Sequence, residues 1–391
     1  MQDPDPLDPA YRYRLWYEAY AGMGDLGSML AYARSRDGLE WEKPNLGLVE
    51  FEGSKENNLV FRGALGHGQH GGTVFVDPTA PPEERYRYFY LGGKGVCGAV
   101  SPDGLHWAPV AEDNDTLVQW GSDTQNTCFW DPDRQAYVAF LRSWSPRMVS
   151  RTESKDFRTF PDPVLVLAPD ELDPPDSDLY NNAAIKYPYA ANAYFIFTSL
   201  YHHPSDKLWV ELAVSRDSVE WERPSREPFI PNGPEGEWDS GVLYRGVGLL
   251  RMGDELWLSY YGRVATHNTY GDKEYQGGYS FAVSRLDGFA SMNAGEELGD
   301  LVTVPLVFSG KRLVLNLEVL RGGGAKVELQ DEAGKPLPGF TQADCDQMVC
   351  DDVSRVVTWR GKSDLSALAG KPVRLRFVLR RCKLYAFECG Q

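Results

Sequence analysis

Seven residues recur almost unchanged three times along this 391-residue chain: SRDGLEW at 35–41, SPDGLHW at 101–107 and SRDSVEW at 215–221. Two weaker copies, SKDFRTF at 154–160 and SRLDGF at 284–289, extend the series, and its serines are spaced by 66, 53, 61 and 69 residues. Such a period constrains the fold strongly, because each copy has to be one structural unit that buries its apolar faces against the next.

Every copy closes a segment with the same internal order. An aromatic-rich alternating run comes first: YRLWYEAY (13–20), YRYFYLGG (86–93), AYVAFLRSW (136–144), AYFIFTSLYHH (193–203) and ELWLSYYGR (255–263). A second run leads into the motif. A third run precedes each pair, as in GGTVFVDP (71–78), NTCFWDP (126–132), NNAAIKYP (181–188) and YRGVGLLRMG (244–253), and a fourth follows, as in NNLVF (57–61) and DTLVQW (115–120). Runs rich in Val, Tyr, Phe and Trp between Gly, Pro and Asp are strands, and no long amphipathic helix interrupts them. Four strands per unit, repeated five times, predict an all-β fold with a five-bladed β-propeller over residues 1–299. Aligning Asp3-Pro4 with Asp77-Pro78 places the innermost strand of the first blade before Met1. After Gly299 the period stops, and new alternating runs separated by turns such as GGG (322–324) predict an accessory C-terminal β-sandwich over 300–391.

In a propeller the segments entering the innermost strands and the far ends of the second strands share one rim. Asp77 and Asp131, each followed by Pro, leave the inner strands at the opposite rim and read as turn residues, as do Asp37, Asp103 and Asp217 of the repeated motif. The entry side carries GHGQHGG (66–72), GSDTQN (121–126), SDLYNN (177–182) and GEWDSGVLYR (236–245). The strand ends add Glu18, Lys94, Arg142, Tyr201, His202, His203, Arg263 and, slightly beyond, His267. Acids, amides, aromatic rings and Arg converging in one cleft suit a sugar, whose hydroxyls need polar partners and whose C–H face packs on a ring. Glycosidic hydrolysis needs a protonated and an ionised carboxyl across the bond. Asp123 and Asp239 are the expected pair, with Asp178 and Glu237 in reserve. His67 converges on the same place, and Gln69, His70, Asn126, Arg142, Tyr180, Asn181, Asn182, Trp238, Arg263 and His267 are the expected substrate contacts.

With 56 acidic against 40 basic residues the net charge is −16, which opposes binding to nucleic acid or an anionic membrane. No apolar run is long enough to span a bilayer. The acidic, Pro-rich MQDPDPLDPA lacks the pattern of a secretory leader. The six cysteines show no zinc-ligand spacing, so neither metal nor cofactor is expected. The four after residue 340 form one or two disulfides or remain buried thiols.

The segments YARSRDGLEWEKPNLGLVEFEGSKENN (32–58), GSDTQNTCFWDP (121–132), LDPPDSDLYNN (172–182), LAVSRDSVEWERPSREPFIPNGPEG (212–236) and FSGKRLVLNLEV (308–319) carry a resemblance over nearly the whole sequence. It resembles a group of bacterial proteins, common in planctomycetes, described as glycosyl hydrolases. In architecture it is similar to the five-bladed glycoside hydrolase families 43, 32, 68, 117 and 130. The resemblance implies hydrolysis of an oligosaccharide or polysaccharide. In families 43 and 32 a catalytic Asp sits at the entry of the first inner strand, which has no counterpart here; Asp123 matches the third-blade acid loosely, and Glu237 is nearest to the general acid. The alternative is a propeller that holds a glycan without cutting it.

Overall fold

The computed structural model describes residues 1–3, 8–20, 27–63, 69–110, 116–269 and 277–390; His67 lies outside them. The protein forms two compact units, Met1–Leu250 with Leu258–Ala282, and Arg251–Trp257 with Val283–Gln391. Both are β-structures, and the described helical turns are three-residue 3-10 segments.

The first unit is a succession of antiparallel meanders. Tyr13–Tyr20 pairs with Ser28–Ser35, which also takes Trp41–Glu42 and Leu59–Phe61. His70–Val76, Tyr86–Gly92 and Gly95–Ser101 form the second meander, with Ala108–Pro109 and Thr116–Val118 at its outer edge. Thr127–Asp131, Ala136–Ser143, Met148–Ser154 and Val164–Leu167 form the third. In the fourth, Ser177–Leu179 and Ala183–Lys186 both pair with Tyr194–His202, which pairs with Lys207–Ser215. One parallel bridge, Leu208 to Val242, joins it to Val242–Arg245, the first strand of a fifth group with Glu255–Arg263 and Gly277–Arg285. The second and third meanders keep the strand order expected from their aromatic runs and motif, whereas after SRDSVEW only the isolated bridge of Ile230 to Val210 stands where a fourth strand, REPFIP (226–231), is expected.

The aromatic runs alternate because both faces of these strands are buried and successive side chains point opposite ways. Tyr88 and Tyr90 pack with Leu30, Tyr32 and Phe61 of the first meander, while Phe89 between them packs with Tyr137, Leu141 and Phe157 of the third. Val138 and Phe140 face the fourth meander with Ile196, Leu200 and Ala213. The second and third meanders are thus layers between two others, and their central strands have no solvent face to spend on polar residues.

The repeated motif ties off each layer. Gly38 N donates to Ser35 Oγ at 2.8 Å, Leu39 and Glu40 N donate to Asp37 Oδ1 at 2.8 and 2.9 Å, and Trp41 Nε1 donates to Gly38 O at 3.2 Å. The same bonds recur around Ser101–Asp103 and Ser215–Asp217, and the Ser154–Asp156 copy keeps the two backbone donors to its carboxylate. The backbone N–H bonds hold the Asp37 carboxyl below the usual range. The fourth position has positive φ in every one of these copies, at Gly38, Gly104, Phe157 and Ser218, which glycine meets most easily.

A second repeated device crosses between layers. Asp3, Asp77 and Asp131 are buried, and each accepts a hydrogen bond from a tyrosine of the next meander: Tyr86, Tyr137 (2.5 Å) and Tyr194 (2.6 Å) respectively. A basic side chain completes each, with Arg85 on Asp3 at 2.8 Å, Arg87 on Asp77 at 2.7 Å and Lys186 on Asp131 at 2.8 Å. The alignment of Asp3 with Asp77 reappears in the backbone: Asp3 N donates to Arg12 O at 2.8 Å as Asp77 N donates to Arg85 O at 2.9 Å. Gln2 bridges Tyr13 in the register in which Val76 pairs with Tyr86.

In the second unit Arg312–Gln330 and Arg374–Gly390 pair along most of their length, flanked by Asp351–Val356, Met292–Ala294 and Gly299–Val302. The sequence reads each long strand as two, with GGG (322–324) as a turn. Instead the glycines form a bulge within one strand, where the register shifts between Val319 and Gly324. A side chain at Gly323 would strike Arg380 O at 2.5 Å, so only glycine lets the strands stay paired there. Leu313, Leu315 and Leu317 before the bulge share one core with Val327 and Leu329 after it, and with Trp359, Leu375 and Phe377. This is the packing of a sandwich made from a bent sheet. All six cysteines are free thiols.

The interlayer carboxylates yield a stability prediction. Tyr137→Phe removes a hydrogen bond to a buried carboxylate and is expected to cost about 1.5–3 kcal/mol, measured by urea denaturation against the wild type.

Candidate functional site

The ends of the second strands and the segments entering the first strands meet around two connected clusters. Glu18 lies near the end of Tyr13–Tyr20, His70 starts His70–Val76, Asp123 precedes Thr127–Asp131, and Arg142 ends Ala136–Ser143. His70 Nε2 lies 3.2 Å from Asp123 Oδ1, and Nδ1 lies 3.3 Å from Glu18 Oε2 and 3.0 Å from Tyr20 Oη. Glu18 also accepts a bond from Gly71 N. Asp123 Oδ1 takes Thr124 N at 2.6 Å, and its Oδ2 takes Arg142 Nη1 at 2.6 Å. Three successive meanders therefore contribute an alternating row of anion, cation, anion and cation.

Burial by itself would lower the His70 pKa, but the hydrogen bonds and charges of Asp123 and Glu18 outweigh it and raise the value to about 10. His70 is an imidazolium at neutral pH. Burial pushes Asp123 up, yet His70 and Arg142 hold it below the usual carboxylate range, so it is ionised. Arg142 is 1% exposed at its side chain, and its Nε and Nη2 have no hydrogen-bond partner. The guanidinium instead lies over the ring of Tyr180, 4.3 Å from the centroid.

Tyr180 connects the second cluster. Its other neighbours are the Arg147 guanidinium, 4.9 Å from the ring centroid, and His267 Nε2, 2.9 Å from its Oη. Arg147 donates from Nη1 to Asp178 Oδ2 at 2.6 Å, and His203 Nε2 lies 3.0 Å from the same oxygen. Tyr201 Oη donates to Asp206 Oδ1 at 2.8 Å and receives a bond from Asn268 Nδ2 at 2.8 Å. Arg263 Nη2 donates to Thr266 O at 3.2 Å and His267 O at 3.1 Å, holding the segment that presents His267. Burial and the charge of Arg147 lower the His267 pKa, so it is the neutral counterpart of His70.

Asp239 and its neighbours form a third group. Tyr260 Oη donates to Asp239 Oδ2 at 3.0 Å, and Trp238 stacks on Tyr260 with centroids 5.7 Å apart. Gly262 makes room, since a Cβ there would lie 2.7 Å from Asp239 Cβ. Glu237 is exposed in the turn before it. Among the described residues Asp239 bonds to neither His70 nor Arg142, so hydrogen bonding does not join it to the Asp123 row.

The buried amides have a different place. Gln69 bonds to Ser28 and Tyr88. Asn126 donates to Gly71 O and Asp123 O and accepts from Ser122. Asn181 accepts from Ser199 N, and Asn182 accepts from Thr127 Oγ1 while donating to Gln125 O. With at most 4% exposure, all four are committed to fastening the entry segments, and Asn126 shapes the backbone that aims Asp123. Arg147, Asp206 and Asn268 belong to the clusters although the strand pattern does not single them out. Arg147 sits in the SWSPRM hairpin directly after Arg142, and that adjacency is the one signal the sequence offers. Among the described residues no three His, Cys, Asp or Glu side chains group to hold a metal ion.

The two histidines are expected to separate in a pH titration. A group whose pKa is raised by folding stabilises fully below its unfolded value, 6.5 here, and loses that contribution as the pH climbs through about 10. Nitrogen-15 NMR should therefore find His70 doubly protonated from pH 5.5 to beyond pH 8, and His267 neutral at pH 7. In Asp123→Asn the His70 titration should move toward neutral pH.

No family model matches the sequence. It is 26% identical over 156 residues to the uncharacterized protein MT1551 of Mycobacterium tuberculosis, a match covering 36% of this chain and 48% of that protein, so it spans about half the length of this curated relative. An N-acetylgalactosamine deacetylase from F. plautii, solved with blood group B trisaccharide, is similar in fold: TM-score 0.51 and 18% identity over 73% of this chain and 88% of that one. A complex of BT0996 with RGII follows, at TM-score 0.50 and 16% identity over 70% of this protein and 83% of that one. A family 43 arabinoxylan arabinofuranohydrolase from Bacillus subtilis aligns over 97% of this chain and 92% of its own at TM-score 0.45 and 10% identity. The first two share the all-β fold of this chain.

Proposed function

We propose that the protein is a carbohydrate-active five-bladed propeller, residues 1–299, with an accessory sandwich over 300–391, and that it hydrolyses glycosidic bonds of an oligosaccharide or polysaccharide. The observation that carries this reading is the row Glu18–His70–Asp123–Arg142 beside the Tyr180 cluster: an ionised carboxylate, aromatic faces and hydrogen-bond donors at one end of the meanders. Asp123, held ionised by two cations, takes the part of the base or nucleophile. Asp239 takes the part of the acid, with Glu237 beside it. Asp178 is tied to Arg147 and His203 and acts in positioning. Tyr180, Trp238 and His267 meet the sugar. The neighbours in fold that hold glycans support a carbohydrate partner.

A second reading has its own observation. Asp123 and Asp178 are both engaged by cations, an arrangement that serves as well to hold a glycan without cutting it. Release of reducing ends from a panel of aryl glycosides and plant and algal polysaccharides separates the two. Hydrolysis in the wild type, falling by roughly 10²–10⁴ in kcat for Asp123→Asn and for Asp239→Asn, supports the glycosidase. Binding with no product in the wild type replaces it with the glycan-binding reading.

A further inference from the structure

The third meander carries an open groove of about 440 Å³ that the clusters above do not use. Its walls are Trp120, Trp144, Met148, Pro163 and Leu165, and no charged side chain lines it. The volume is that of a small-molecule site. Trp144 is 47% exposed and Leu165 50% exposed. Neither tryptophan is loose: Trp144 Nε1 donates to Gly121 O at 2.9 Å, and Trp120 Nε1 donates to Arg142 O at 3.0 Å. With both indole N–H groups satisfied by backbone, the ring of Trp144 is held in place and the surface it exposes is apolar. A rigid aromatic face costs little ordering when a ligand packs on it.

The groove is continuous with the charged row. The Arg142 guanidinium lies 5.2 Å and the Arg147 guanidinium 5.5 Å from the Trp144 ring centroid. The indole therefore meets both the cations beside Asp123 and Asp178 and the groove. A Cβ at Gly121 would meet nothing within 4 Å, so the wall beside the indole is open.

We propose that this groove is a second sugar subsite, taking one uncharged pyranose ring of a glycan whose neighbouring ring occupies the Asp123–Arg142 cluster. The proposal rests on the carbohydrate reading above and adds to it that the preferred ligand is an oligomer of at least two units. The ring packs its C–H face on Trp144 and its edge on Leu165. The uncharged lining fits a neutral sugar, and the net charge of −16 disfavours an anionic lipid surface as the occupant.

Calorimetric titration with xylo-, manno- and galacto-oligosaccharide ladders of one to six units tests the proposal. In the wild type, affinity for the preferred ladder should rise from one unit to two or three. Trp144→Ala, and independently Leu165→Arg, which obstructs the groove from an exposed strand, should each reduce that length-dependent gain by roughly tenfold, and Trp144→Phe should retain most of it. A gain that persists in both groove variants overturns the subsite while leaving the carbohydrate reading intact. A wild type that binds no ladder and releases no sugar from the polysaccharide panel overturns the carbohydrate reading and the subsite together.

Discussion

Burial of the central meanders on both faces is the constraint on which the first unit depends. A strand packed between two neighbours has no polar face, so its alternation is aromatic against aliphatic, as with Tyr88 and Tyr90 on one side and Phe89 on the other. Such layers slide unless something polar holds their register. The buried carboxylates Asp3, Asp77 and Asp131 do this by accepting from a tyrosine one layer on. These bonds tie the order of the layers to the order of the sequence. They leave the opposite ends of the strands free to present functional groups.

At those ends the same physics works with opposite intent. Charges are again paired across layers, but beside the open end instead of in the core. The row Glu18, His70, Asp123 and Arg142 balances its charges internally, which allows an ionised carboxylate and an imidazolium to coexist in a half-buried setting. Tyr180, between two guanidinium groups, spreads that balance to the next cluster. The buried amides Asn126 and Asn182 set the backbone on which the charged groups stand.

Much of this is legible in the sequence. The period, the strand order within the second and third repeats and the structural role of Asp37, Asp103 and Asp217 follow from alternation and turn chemistry, which are local. So does the rule that Asp123, His70 and Arg142 lie toward one rim while Asp77 and Asp131 lie toward the other. The GGG segment reads as a turn because a bulge and a turn demand the same residue; the difference lies in the partner strand, whose Arg380 carbonyl leaves no space for a side chain. Gln69, Asn126, Asn181 and Asn182 look like sugar ligands in sequence because an amide's composition does not reveal who already holds it.

The sequence by itself determined the repeating unit, its all-β character and the set of chemistry-bearing residues at each strand end, since these depend on spacing and side-chain type. Only the tertiary structure decided which of those residues meet and in what charge state. The pairing of His70 with Asp123 spans 53 positions and that of Tyr180 with His267 spans 87. Contacts at such separations are set by how whole layers stack, and pKa values by what the stacking brings within a few ångströms. SRDGLEW records the period of the layers, and their packing records the site.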